Sequence, residues 1–381
     1  MSNSFLLALS VLVGTIIGAG IFGIPYVAAQ SGMVPAIFYF IILGASVMLL
    51  HLFFGEVVLR TYEKHRLIGY ARMYLGRRAS WLAAFTTVFG IVGALLAYTI
   101  LGGKFLVLLF GSLLPFSETA FAILFWFVLS LFIIRGIQLI AKAEFVMNIA
   151  LFAAVFFIFF FAAPEVKLEN FSLINTNHLF LPYGVILFAL AGWSAIPEIA
   201  DFFKNSKEKK SLDNLIVWAS VITTALYFFF AVFVVGVSGP ATSSDALQGL
   251  EGPLGRGIVQ LGALFGLVAI AASFLVLGNY LKNSLRYDFN LSYTFSAAIA
   301  IAMPMLFFLL GLREFMVVLG LVGMAMGIVE GTLIILLYQK ARVVGERVPE
   351  YALKVPRILP YIVGIVVAGG AAAELYFTYV G

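Results

Sequence analysis

Long apolar stretches alternate with short polar segments along the whole chain. A helix needs roughly 20 apolar residues to cross a hydrocarbon core of about 30 Å. On this criterion the pattern predicts eleven membrane-spanning helices, at about 5–31, 34–59, 81–110, 118–135, 142–163, 180–202, 212–238, 256–283, 290–311, 314–338 and 357–379. We expect no soluble domain between them, which makes this an all-α membrane protein.

The composition agrees with this assignment. Apolar residues fill 63% of the 381 positions and charged residues 11%, against roughly a quarter in soluble domains. The absence of cysteine excludes disulfides, thiolate metal sites and cysteine nucleophiles. The net charge of +5 is spread over short clusters between apolar stretches, so we expect membrane lipid and no nucleic acid as a partner.

Lysine and arginine are concentrated in alternate loops. Of the 23 basic residues, 19 lie in the loops after the second, fourth, sixth, eighth and tenth spans. The other four lie near the opposite ends and are Lys104, Lys167, Arg256 and Arg313. Because cytoplasmic loops carry the positive excess, we expect a multi-pass protein of the plasma (inner) membrane with a cytoplasmic N-terminus and an extracytoplasmic C-terminus.

Two predicted spans contain glycine and proline where a continuous helix is expected. Residues 14–25 read Gly-Thr-Ile-Ile-Gly-Ala-Gly-Ile-Phe-Gly-Ile-Pro, and residues 188–198 read Phe-Ala-Leu-Ala-Gly-Trp-Ser-Ala-Ile-Pro-Glu. These breaks fall in the first and sixth spans. Since the first half contains five spans, an odd number, the second five enter the membrane from the opposite side, which predicts inverted repeats over 1–163 and 164–338. Residues 339–381 then form a cytoplasmic loop and an extra eleventh span.

Broken helices at matching places in inverted halves indicate the central binding site of a transporter. An unwound turn leaves backbone groups without partners, and in lipid these must line a cavity or bind a ligand. Free N–H groups at a helix start suit a carboxylate, and free carbonyls suit an ammonium group or a cation. The N–H groups are those near Ala19, Gly20 and Ile21, and the carbonyls are those near Ile17, Gly18 and Ala191. Taken singly, each break also fits a small-residue packing face with a tolerated proline kink.

The motif at 14–25 resembles the first-span signature of the amino acid–polyamine–organocation (APC) superfamily of transporters. Three further motifs are most similar to bacterial aromatic and hydroxy amino acid permeases and to eukaryotic neutral amino acid transporters. These motifs are residues 188–198, Gly93-Ala-Leu-Leu-Ala-Tyr98, and Ala272-Ser273-Phe274-Leu275 followed by Asn279-Tyr280-Leu281-Lys282. The resemblance covers the first ten spans. It implies a five-plus-five inverted repeat and secondary active import of an amino acid.

The resemblance also implies roles for individual residues. Phe188 corresponds to an aromatic lid over the substrate, and Trp193, next to Gly192, to a wall of the side-chain pocket. Tyr98 corresponds to a hydrogen-bond donor for the substrate carboxylate. Each of these residues also has an ordinary packing interpretation. The proposed walls offer apolar surface and no identifiable counter-charge, so we expect neutral substrates with aromatic or large hydrophobic side chains.

The coupling ion, H+ or Na+, is the one cofactor-like species that we expect. In related sodium-coupled proteins the cation lies between the first and eighth spans. The resemblance assigns the carbonyls of Gly14 and Ile17 and the hydroxyl of Ser273 to that site, but Ala272 stands where a second hydroxyl is usual. Some proton-coupled relatives carry a lysine on the fifth span, and residues 144–151 contain none. Both ions remain open, with the proton slightly favoured.

Acidic residues within the spans are candidate proton carriers. They are Glu56, Glu144, Glu198, Glu330 and Glu374. Glu198 is the first choice because it lies on the inner half of the broken sixth helix. Its alternative is an ion pair with a cytoplasmic basic residue.

Other classes of function fit less well. No His-Glu-x-x-His, Gly-x-Ser-x-Gly or phosphate-loop motif is present, and the histidines at 51, 65 and 178 are scattered, so we do not expect an enzyme. A channel would need a polar stripe through several spans, whereas the polar residues cluster around the two breaks. An exchanger or an amino acid sensor on the same fold remains open, as does the oligomeric state.

Overall fold

The computed structural model describes residues 3–135, 141–287, 289 and 291–379, and the regular secondary structure of this part is helical. The helices of the first half are α1 (Asn3–Ile16), α2 (Gly20–Ser31), α3 (Met33–Leu59), α4 (Leu67–Leu75), α5 (Arg77–Phe110), α6 (Glu118–Ile134) and α7 (Ala141–Ala162). The following helices are α8 (Pro182–Leu190), α9 (Ile196–Ala200), α10 (Ser206–Lys209), α11 (Leu212–Ser238), α12 (Glu251–Leu254), α13 (Arg256–Tyr287) and α14 (Tyr293–Leu309). The last are α15 (Phe315–Met326), α16 (Thr332–Val344), α17 (Leu359–Gly364) and α18 (Gly370–Tyr379).

Every predicted span coincides with one or two of these helices, so the protein is an all-α membrane protein. Within the described residues, seven helices are long and apolar enough to cross a membrane, or eight if the bent pair α1 and α2 counts as one span. Three shorter apolar helices lie at Glu118–Ile134, Val155–Glu165 and Tyr293–Leu309. The total of eleven spans therefore stays a prediction.

The first break separates α1 from α2, whose axes differ by 52°. The Ile17 N–H still donates to the Val13 carbonyl oxygen at 2.9 Å, and the helical ladder then stops. It starts again where the Phe22 N–H donates to the Ala19 carbonyl oxygen at 3.1 Å. Glycine is a poor helix former, so the glycines on either side of Ala19 favour this unwinding.

The second break separates α8 from α9 at the predicted position in the sixth span. Helix α8 ends at Leu190, and the chain resumes with a 3-10 turn at Trp193–Ala195 before α9. Pro197 lies in the first turn of α9, where its missing N–H costs no helical hydrogen bond. The proline thus favours the start of the second half-helix, α9, at this position.

The two breaks pack against each other through glycines. A Cβ atom placed on Gly20 would lie 2.6 Å from the Cβ atom of Ala189 on α8. A Cβ atom placed on Gly192 would collide with the Ile16 side chain on α1. Helices α1 and α2 can approach α8 and the sixth-span break this closely only because both positions lack a side chain.

Two features of the fold are not predicted by the apolar pattern. The short helix α4 lies in the basic loop after the second span and buries Leu67, Tyr70 and Tyr74. The tenth and eleventh spans each contain a π-helical turn, at Gly327–Gly331 and Ile365–Gly369. These turns pack against each other, with the Gly331 position facing Val367.

Candidate substrate site

A cavity of about 140 Å³ lies beside the two breaks. Six of the nine residues predicted to bind the substrate line it: Gly18, Gly20, Tyr98, Phe188, Ala191 and Trp193. The other three, Ala19, Ile21 and Gly192, do not line it, and neither do the predicted ion-coupling residues Gly14, Ile17, Glu198 and Ser273. The break residues of both spans and the three aromatic residues therefore share one space.

The start of α2 offers backbone donors at this cavity. The first N–H groups of a helix have no acceptor within it. Among the described residues, the N–H groups of Gly20 and Ile21 make no backbone hydrogen bond outside the helix. These donors lie at the positive end of a helix of 12 residues, an arrangement that can bind a carboxylate.

Tyr98 connects α5 to the first break and to α13. A Cβ atom on Gly18 would lie 2.7 Å from the Tyr98 hydroxyl oxygen. The same hydroxyl is within hydrogen-bonding range of the Ser273 side chain and of the Ala19 backbone. Tyr98 therefore occupies the space between the first-span break and Ser273.

Two buried side chains hold the breaks in place, a role that the sequence alone does not reveal. The Tyr227 hydroxyl on α11 lies 2.8 Å from the Ile16 carbonyl oxygen and 3.2 Å from the Ala189 carbonyl oxygen. On α3, the Nε2 atom of His51 accepts the Gly192 N–H at 3.1 Å. Backbone groups freed by unwinding thus gain side-chain partners.

A carboxylate stands in the cavity wall beside the sixth-span break. The Trp193 indole N–H donates to Glu330 Oε2 at 2.5 Å, and the Thr87 hydroxyl donates to Glu330 Oε1 at 3.1 Å. Glu330 lies in the π-helical turn of the tenth span, and all three residues line the cavity. The sequence-based expectation of walls without a charged side chain is therefore wrong. Both Glu330 and Arg66 line the cavity.

A second, larger cavity of about 990 Å³ opens beside the first. It carries many basic side chains, among them Lys64, Arg72, Arg77, Lys209 and Arg347. Arg66 and Ile68 line both cavities. We call this larger cavity the basic vestibule.

Arg66 and Glu198 meet at the border between the two cavities. The Arg66 guanidinium lies 4.3 Å from the centre of the Tyr280 ring and 3.5 Å from Glu198 Oε1. The Glu198 side chain is half exposed in the basic vestibule. Glu198 thus lies in an ion pair outside the small cavity, and its partner is Arg66.

The other intramembrane acids have separate partners. Glu56 is buried and pairs with Arg60 at 2.8 Å. Glu374 on α18 accepts the Gly184 N–H of α8 at 2.7 Å. Glu144 lies outside the residues whose side chains the structure describes.

Comparison with known proteins assigns a family to this architecture. A protein-family model described as the tryptophan/tyrosine permease family matches residues 1–372, which include both breaks and the whole cavity lining. A search of curated proteins finds no match. The family match confirms the sequence-based expectations of an amino acid permease and of a transporter rather than an enzyme.

Proposed function

Because the chain belongs to the tryptophan/tyrosine permease family, we propose that it imports aromatic amino acids across the plasma membrane by symport with a proton. The observation that carries this proposal is the cavity where two broken helices meet. It combines backbone donors for a carboxylate with aromatic walls. A zwitterionic amino acid with a large ring has both complementary parts.

The cavity lining supports one orientation of the substrate. The carboxylate would accept hydrogen bonds from the N–H group of Gly20 and from the Tyr98 hydroxyl, since both residues line the cavity. The ammonium group would lie near the carbonyls of Gly18 and Ala191. The ring would then lie between Phe188 and Trp193, which both line the cavity. Aromatic walls contribute a large apolar area as well as favourable ring-to-ring geometry.

The oxygen atoms between the first and eighth spans favour a proton over sodium. The Tyr98 hydroxyl already occupies the space between Gly18 and Ser273. Ala272 offers no second hydroxyl, while sodium, as a hard cation, requires several oxygen ligands. The carbonyls of Gly14 and Ile17 would be the remaining ligands of a sodium site.

Glu198 remains our proposed proton carrier. Its half-exposed carboxylate in the basic vestibule can exchange a proton with solvent, and Arg66 stabilises its ionised form. We further propose that the fold is a five-plus-five inverted repeat of the APC superfamily, over 1–163 and 164–338. The two breaks support this proposal, because each lies in the first span of its half.

Uptake into proteoliposomes tests the function. Purified protein is reconstituted, and radiolabelled tryptophan, tyrosine, leucine, lysine and glutamate are supplied under separate proton and sodium gradients. We expect an inward proton gradient to accelerate tryptophan and tyrosine uptake, with little lysine or glutamate uptake. Sodium-driven uptake would contradict the coupling, and uptake only into liposomes preloaded with amino acid would identify an exchanger instead.

A further inference from the structure

We infer that Glu330 recognises the hydrogen-bond donor on the substrate ring, which is the indole N–H of tryptophan or the phenolic O–H of tyrosine. The inference rests on the proposed function and deepens it. Both amino acids in the family description carry such a donor at the ring, and phenylalanine does not. A single acceptor at the far end of the cavity would therefore select these two substrates.

The position of Glu330 fits this role. The backbone donors of the first break and Tyr98 hold one end of the cavity, where the α-carboxylate binds in the proposed orientation. On α5, Thr87 contacts Glu330 and Tyr98 lies against Gly18 of the first break, and the cavity-lining residues between them on that helix, Gly90, Ile91 and Ala94, are apolar. A ring attached to the α-carbon would extend along this apolar wall and bring its polar edge to Glu330.

The carboxylate has acceptor capacity to spare and a fixed orientation. Trp193 uses Oε2 and Thr87 uses Oε1, and each carboxylate oxygen can accept more than one hydrogen bond. These two donors hold the carboxylate in place before a substrate arrives, which reduces the cost of binding. The π-helical turn supports the same conclusion, since such turns are frequent at functional sites.

A purely structural role explains Glu330 poorly. Among the described residues it has no salt-bridge partner, although it is only 3% exposed. A buried carboxylate without a cation is costly, and binding Trp193 alone would need only one neutral acceptor oxygen, which a glutamine could supply. Recognition of a substrate donor gives the carboxylate a use that these neighbours do not require.

The test compares substrates of the same shape with and without the donor. Competition against radiolabelled tryptophan is measured on the purified, reconstituted protein with tryptophan and with 3-benzothienylalanine, in which sulfur replaces the indole N–H. Tyrosine and phenylalanine form the second pair. A hydrogen bond to a charged acceptor predicts that each donor-bearing member binds roughly tenfold or more tightly.

Variants then assign the discrimination to Glu330. In Glu330→Leu we expect the ratio of binding affinities within each substrate pair to fall below about threefold, with phenylalanine binding retained. Glu330→Gln keeps an acceptor oxygen and should give an intermediate ratio. Glu374→Gln alters a buried carboxylate outside the cavity and should leave the ratio at the wild-type value.

The outcomes separate this inference from the proposed function. If the wild-type protein binds tryptophan but does not distinguish it from 3-benzothienylalanine, the inference fails and the proposed function stands. The same holds if Glu330→Leu or Glu330→Gln keeps the full wild-type ratio. If the wild-type protein binds neither tryptophan nor tyrosine, both are overturned. If the leucine variant does not fold, the affinity ratio of Glu330→Gln decides whether Glu330 is responsible.

Discussion

At the scale of single residues, the glycines of the two breaks act as contacts between helices. The Cβ position of Gly20 is directed at Ala189, and that of Gly192 at Ile16. Gly93, in the motif that ends at Tyr98, faces the Val322 side chain. A Cβ atom at any of these three positions would therefore meet a neighbouring side chain and not open space.

Replacement of Gly20 by leucine should abolish uptake. The added side chain would force α2 away from Ala189 and move the N–H groups that we assign to the carboxylate. The measurement is initial tryptophan uptake, normalised to folded protein from size-exclusion chromatography. Gly257→Leu is the matched control, because a Cβ atom there meets nothing within 4 Å. Near-normal uptake by Gly20→Leu would refute this assignment.

At the scale of helices, the eleventh span is attached to α8, the first half of the broken sixth span. The Tyr183 hydroxyl on α8 lies 2.7 Å from the Val367 carbonyl oxygen and 2.9 Å from that of Val366, both in the second π-helical turn. The Glu374 carboxylate of α18 accepts a hydrogen bond from the Gly184 N–H of α8. The eleventh span therefore holds α8 in position beside the cavity.

Loss of the Tyr183 hydroxyl should loosen this attachment. Tyr183→Phe keeps the ring and removes a buried donor to two carbonyl oxygens, at an expected cost of about 1–3 kcal/mol in the free energy of unfolding. Hydrogen exchange of residues 359–379 should rise relative to the wild type. Tyr361→Phe, on the exposed side of α17, is the control. Unchanged exchange in Tyr183→Phe would show that packing alone holds the eleventh span.

Helix positions and breaks were predictable because they depend on local composition. Apolar length locates the spans, and glycine and proline mark the breaks at Gly18–Gly20 and before Pro197. The partners of those breaks were not predictable. His51 and Gly192 are 141 residues apart, and Tyr227 and Ile16 are 211 apart. Which of the 16 tyrosines reaches a broken helix is decided by tertiary packing.

The chemistry of the cavity was not predictable for the same reason, because it depends on residues that are far apart in the sequence. Glu330 stood out in the sequence as an acid within a span, but Trp193, its hydrogen-bond partner, is 137 residues away. The short helix α4 was missed because its nine residues are too few and too polar for the membrane criterion. The residue before α4 is Arg66, and without this helix the sequence does not predict that Arg66 lies beside the cavity.

At the scale of the whole molecule, the charge distribution predicts which face is cytoplasmic. The basic vestibule belongs to the face that carries most of the loop lysines and arginines. By the positive-inside rule we predict that this face is cytoplasmic. The cavity at the breaks then borders the cytoplasmic side through Arg66 and Ile68.

Single cysteines can test this orientation, because the chain has none of its own. Leu168 and Val348 are 86% and 87% exposed, in loops on predicted opposite faces. We expect a membrane-impermeant maleimide to label Leu168→Cys in intact cells and Val348→Cys only after permeabilisation. The reverse pattern would invert the topology, and equal labelling of both in intact cells would contradict the predicted spans between them.

Proton coupling through Glu198 predicts a change in pH dependence. Glu198→Gln cannot exchange a proton, so tryptophan uptake should lose most of its acceleration at acidic external pH. Glu63→Gln is the control, since Glu63 is a more exposed acid of the same vestibule. An unchanged pH profile in Glu198→Gln would exclude Glu198 as the carrier.

The central claim is that an aromatic amino acid binds where the two broken helices meet. Photocrosslinking tests it most directly, with a radiolabelled diazirine analogue of phenylalanine bound to the reconstituted wild-type protein and mapped by mass spectrometry. We predict adducts within residues 14–25 and 182–200 that excess tryptophan suppresses and excess lysine does not. Adducts confined to other segments, or adducts at these segments that tryptophan fails to suppress, would contradict the account.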